Sequence, residues 1–131
     1  MLRLTIASQA DVERARREAR SLASIVGLDT VAVESVALTV SELATNLVRY
    51  AWGGELIVSV VGTLERRGIQ VESCDEGPGI PNTDHALTDG FSTGGGLGGG
   101  LPGVRRLMDE FELTSDLRGT RVVARKWAAV R

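Results

Sequence analysis

Residues 75–102 read DEGPGIPNTDHALTDGFSTGGGLGGGLP, and eight of the chain's 16 glycines fall between Gly90 and Gly103. No apolar residue in this stretch recurs at the period of a helix or a strand, so it reads as a long loop region. Glycine lowers stability unless the backbone needs its freedom, and a loop of this length in a small domain is usually functional. The stretch runs into a helix with Pro102 in its first turn. A glycine-rich turn feeding a helix start presents converging N–H groups and no obstructing side chain, which is a cradle for phosphates. The competing reading is a flexible linker, but linkers seldom end in a helix with proline so placed. No Gly-Lys-Ser/Thr follows, which excludes a P-loop, and the late position without a βαβ unit excludes a dinucleotide-binding fingerprint.

Upstream of this loop, after a Trp52-Gly53-Gly54 turn, residues 55–61 and 68–74 alternate as two strands across a Glu65-Arg66-Arg67-Gly68 turn. Farther back, residues 3–6 form a short strand, and Ser8 with Asp11 marks a capping-box-like helix start. Val12, Ala15, Ala19, Leu22 and Val26 recur at three and four, with Gly27 as the stop. Asp29 caps a second helix running to about Tyr50, whose stripe is Val33, Val36, Ala37, Val40, Ala44 and Leu47. Downstream, residues 102 and 104–111 read as a helix, followed by strands near 111–115 and 120–127 across Arg118-Gly119. The order is strand, helix, helix, hairpin, glycine loop, helix, hairpin. It predicts an α+β fold, a two-layer α/β sandwich with helices on one face of a mixed, mainly antiparallel sheet. Neither a repeat nor a linker divides the chain, so residues 1–131 are expected to form a single domain.

The size agrees: 131 residues and 13.9 kDa suit one domain. A net charge of −2 and a pI near 5.4 argue against nucleic acid and membrane as partners. With 43% hydrophobic and 24% charged residues the chain reads as folded, and its apolar runs read as too short to cross a bilayer. MLRLTIASQ lacks the apolar core of a secretory signal, so a cytoplasmic location is expected. The single cysteine, Cys74, permits no internal disulfide and reads as a small buried residue. Leu22, Ile25 and Val26 read as core or interface, and Tyr50 with Trp52 as packing or a partner surface.

Three constellations carry chemistry. Glu42 and Asn46 are four apart on the second helix, so a carboxylate and a carboxamide share one face; the alternative is a solvated helix edge. Asp75-Glu76-Gly77-Pro78-Gly79 follows a strand, where a carboxylate can accept from an amine such as an adenine amino group and glycines let backbone approach a flat ring; the alternative is a Pro-Gly turn. The third is the run from Thr93 to Pro102. His85 sits in the loop beside Asp84 and reads as a surface histidine.

In this order the motifs resemble those of the GHKL, or Bergerat, ATPase superfamily: residues 42–46 resemble its N box, 75–79 its first glycine box, 95–101 its second, and Gly119-Thr120 its closing Gly-Thr. SELATNLVRYA, the 75–113 run and the terminal ARKW resemble more closely the RsbT-type serine/threonine kinases of the stressosome. The resemblance implies a Bergerat ATP-binding fold with ATP and Mg²⁺ as cofactors. It implies Glu42 as catalytic base, Asn46 as Mg²⁺ ligand, Asp75 as acceptor for the adenine amino group, and Gly77 and Gly79 around the adenine. Gly95, Gly96, Gly98, Gly100 and Leu101 would wrap the phosphates, and Thr120 would support the adenine end. The resemblance also implies that the glycine loop acts as an ATP lid; related anti-sigma kinases carry an arginine there, whereas residues 94–100 contain no cation, leaving Arg105, Arg106 or Mg²⁺ alone for that charge. The implied partners are STAS-domain proteins of the RsbS and RsbR type, an RsbU-type phosphatase, and a second copy in a possible homodimer. The alternatives are an RsbW-like anti-sigma factor kinase and a nucleotide-gated binding module without turnover.

Overall fold

The computed structural model describes residues 1–51, 53–76 and 100–129. In chain order the elements are β1 (Leu2–Ile6), α1 (Gln9–Val26), α2 (Thr30–Tyr50), β2 (Gly54–Gly62), β3 (Arg67–Cys74), α3 (Gly100–Leu107), β4 (Glu110–Asp116) and β5 (Gly119–Trp127). Trp52, Gly77, Gly79, His85, Gly95, Gly96 and Gly98 lie outside the described residues.

Local chemistry starts and stops the two long helices where the sequence places those signals. Asp11 accepts hydrogen bonds from the backbone N–H of Ala7 at 2.9 Å and of Ser8 at 3.1 Å, satisfying donors that the first turn leaves without helical partners. Its carboxyl lies below the usual carboxylate range, chiefly through the Ala7 N–H bond. The bond's contribution is therefore present above the unfolded pKa and lost as pH falls through the lower folded value. Gly27 ends α1 in the left-handed region at φ 101, where a Cβ would strain the backbone. Asp29 accepts from the Ala32 N–H at 2.8 Å and caps α2. Asp29→Ala is expected to cost about 1 kcal/mol, read as a lower urea midpoint with an unchanged m-value.

The sheet order is β1-β2-β3-β5-β4, and all four pairings are antiparallel. Registers align Leu2, Val58, Val71, Ala124 and Phe111 in one row across the sheet, and Leu4, Leu56, Ser73, Val122 and Leu113 in the next. These rows meet the helical layer: Val12, Ala15, Ala19 and Ala23 from α1, Val33, Val36, Val40, Leu43 and Leu47 from α2, and Leu101 and Val104 from α3 all join the buried core. The alanines of α1 let it lie close to α2. Leu22 and Val26 pack against this core, while Ile25 is 81% exposed.

Opposite alternation gives the other sheet face polar rungs. Arg121 pairs with Glu72 at 2.5 Å, Arg125 with Gln70 at 2.8 Å and Arg3 with Glu55 at 3.4 Å. Cys74 stands on this face and is half-buried rather than buried. Partial burial, then Glu72, pushes its thiol pKa up.

Two further expectations need correcting. The third helix stops at Leu107, and Phe111 belongs to β4. Pairing with β5 takes over there: the Asp109 N–H donates to the Arg125 carbonyl at 2.9 Å, and Lys126 Nζ donates to the Leu107 carbonyl at 2.9 Å, at the negative end of the helix dipole. Also, α2 at 21 residues is long and apolar enough to cross a bilayer by length and composition. Most of that apolar window, 61%, is buried inside the protein as its central core helix.

Candidate active site

The face of α2 beside its apolar stripe carries Glu42 and Asn46. Glu42 is only 5% exposed, so it is not the solvated edge that its place beside the stripe allowed. Asn46, one turn on, is half-buried. The next residue, Leu47, lies over the end of the sheet: a Cβ at Gly54 would come 2.8 Å from Leu47 Cδ2 and 3.2 Å from Asp75 Cβ, and would run into the Cys74 carbonyl oxygen. Glycine at 54 thus lets the end of α2 and the start of β2 close on Asp75.

Asp75 follows β3 by one residue, and the period of two puts its side chain on the face of Val71 and Ser73, toward the helices. Its backbone N–H donates to the Thr120 carbonyl at 3.1 Å, and its Oδ1 accepts from the Thr120 N–H at 3.3 Å. Thr120 Oγ1 shares a 2.8 Å hydrogen bond with Ser115 Oγ. Residues 45 positions apart in sequence are therefore locked together, with the carboxylate's direction set by backbone. A cleft of about 500 Å³ opens at this end of the sheet, lined by Thr5, Ala51, Gly53, Cys74, Asp75 and Glu76, and neither Glu42 nor Asn46 is in its wall.

Gly119, at φ 147, sits so close to the Asp75 carbonyl that a Cβ would collide with it. Gly119→Ala is expected to destabilise the protein by roughly 1–3 kcal/mol, because the added Cβ pushes the Asp75 carbonyl away from β5. Thermal melts of the variant against the parent check the loss.

At the start of α3, Gly100 has φ 70 and is buried. The Leu101 side chain is 2% exposed and belongs to the core, which leaves its backbone as the part that a ligand at the helix start would meet. Arg105 and Arg106 are exposed in the last turn of α3, at the far end from Gly100, where cations complement the dipole. Sequence reading missed Gly54 and Ser115. The Gly53-Gly54 pair signalled only a turn, because the contacts that require glycine at 54 are long-range.

The histidine kinase-like ATPase domain family matches residues 5–126. The chain is 42% identical over 123 residues to the serine/threonine-protein kinase RsbT of Bacillus subtilis, covering 93% of this chain and 92% of that protein. It is 28% identical over 119 residues to an anti-sigma F factor of Clostridium acetobutylicum, covering 86% of this chain and 82% of that protein. In fold it is similar to the RsbU and RsbW domains of Rv1364c from Mycobacterium tuberculosis, with TM-score 0.67 and 15% identity over 100% of this chain and 34% of that longer one. It is similar also to the mycobacterial sensor histidine kinase MprB, with TM-score 0.54 and 16% identity over 99% of both chains. With an antiparallel sheet covered, among the described residues, by three helices, and with a match over residues 5–126 and 42% identity to a serine/threonine-protein kinase, the chain belongs to the histidine kinase-like ATPase domain family, on its RsbT-type serine/threonine-kinase branch.

Proposed function

We propose that residues 1–131 act as one kinase domain in the cytoplasm, transferring the γ-phosphoryl group of ATP to a serine or threonine of a STAS-domain protein of the RsbS or RsbR type. Release from that partner then lets the chain bind and activate an RsbU-type phosphatase. The observation that carries the transfer step is the nearly buried carboxylate of Glu42, one turn from Asn46, in a chain 42% identical to a serine/threonine-protein kinase.

The residues present suit ATP and Mg²⁺. Asp75 accepts from the Thr120 N–H, which orients it, and a carboxylate has about four acceptor sites, so it can also receive an adenine amino group. Asn46 would hold Mg²⁺, which neutralises phosphate charge when bound. Thr120 would support the adenine end by fixing Asp75. Gly77 and Gly79 would flank the adenine, and Gly95, Gly96, Gly98, Gly100 and the Leu101 backbone would receive the phosphates. In transfer, the substrate hydroxyl oxygen bonds to the γ-phosphorus, the bond to ADP breaks, and the hydroxyl proton passes to Glu42.

The test is transfer of label from radiolabelled ATP with Mg²⁺ to a purified STAS-domain partner, with complex formation followed in parallel. Label on a partner serine or threonine supports the reading; tight binding without label points to a nucleotide-gated binding module. The 28% identity to an anti-sigma F factor favours one second reading, direct binding of a sigma factor in the RsbW manner. Gel filtration with each candidate partner separates the two and also reads out any homodimer.

A further inference from the structure

We infer that Thr39 is a positioning residue for Glu42, its hydroxyl donating a hydrogen bond to the Glu42 carboxylate in the complex competent for transfer. This rests on the reading of Glu42 as the proton acceptor.

At about 100° per residue, Ser35, Thr39, Glu42 and Asn46 fall within an arc of roughly 60° on α2. They form a polar stripe along the core helix, and three of them are deeply buried: Ser35 at 6%, Thr39 at 0% and Glu42 at 5% exposure. Ser35 resolves its burial locally, its Oγ donating to the Val31 carbonyl at 3.0 Å. The same backward bond is open to Thr39 in principle, yet among the described residues its Oγ1 has no hydrogen-bond partner.

A buried hydroxyl left so is destabilising, and valine would fill the same space without that cost. Packing therefore does not account for threonine at 39. Direction does: side chains of a helix lean toward its N-terminus, so the Glu42 side chain covers the turn that contains Thr39. Residues three apart on a helix are within reach of one another. Hydrogen bonds of a catalytic group also commonly tighten only once the reactants are in place. A donor at this point would hold the carboxylate toward the incoming hydroxyl without touching nucleotide.

The experiment compares the full-length chain with Thr39→Val, Thr39→Ser and Glu42→Ala in the labelled-ATP assay, with ATP affinity by calorimetry and melting temperature alongside. Thr39→Val is expected to lower kcat about tenfold with KM for ATP within about twofold, to melt no lower than the parent, and to be rescued by Thr39→Ser. Wild-type kcat in Thr39→Val, or a loss that Thr39→Ser does not restore, overturns the inference. The two failures are separable: transfer that survives in Glu42→Ala removes the reading of the base itself, whereas transfer lost in Glu42→Ala but intact in Thr39→Val removes only the role of Thr39.

Discussion

Glu42→Ala is expected to abolish phosphoryl transfer, lowering kcat by about 10²- to 10⁴-fold, while ATP affinity stays within a few-fold of the parent. The asymmetry follows from where the group stands. It projects from the middle of α2 at 5% exposure, whereas the carboxylate assigned to nucleotide lies beyond the end of β3. Losing the proposed base would remove an interaction made as the proton leaves, which appears in kcat and not in binding. Glu42→Gln keeps the side chain's shape and removes only its capacity to take a proton. It should match the alanine variant in rate, which excludes a cavity as the cause. Single-turnover transfer and calorimetric titration with ATP measure the two quantities separately.

Asp75→Asn should show the opposite pattern: ATP affinity down by about 10- to 100-fold, with kcat at saturating ATP near that of the parent. The exchange is nearly isosteric, and the amide oxygen can still accept from the Thr120 N–H that the carboxylate meets at 3.3 Å. The second oxygen, however, becomes an NH₂, so a donor is set against the adenine amino group. Leaving such groups mismatched costs about 1–3 kcal/mol, which matches the stated loss at 1.4 kcal/mol per tenfold. Equal loss of ATP binding in the Glu42 and Asp75 variants would count against both assignments.

The parts of the fold visible in sequence are those governed within a few residues: the Asp11 box, the Asp29 cap, the Gly27 stop and the alternation of both hairpins. The end of α3 was not, because partners contributed by β5 set it. The octapeptide of α3 continues an apolar helical pattern toward Phe111, and only the Arg125 carbonyl and the Asp109 N–H decide that a strand begins instead. The site divides in the same way. The shared helix face of Glu42 and Asn46 and the strand-end position of Asp75 were legible from spacing, while the roles proposed for them come from the family resemblance. The burial of Glu42 was not, since a charged residue flanking a stripe reads as solvated. Gly54 and Gly119 looked like ordinary turn glycines, and their need for a bare Cα comes from Leu47, Cys74 and Asp75, all distant in sequence or across a strand. Thr39 was silent because threonine in an apolar run passes for filler.

Helix α3 is fastened at both ends, by the core burial of Leu101 and Val104 at one and by the Lys126 ammonium on the Leu107 carbonyl at the other. Its peptide dipoles thus take their aim when the sheet assembles. Under the proposed function, a phosphate arriving at Gly100 would meet the N–H groups of Leu101 and Gly103, Pro102 having none, on a helix already held in place, so the cost of ordering those donors would fall on folding and not on each round of nucleotide exchange.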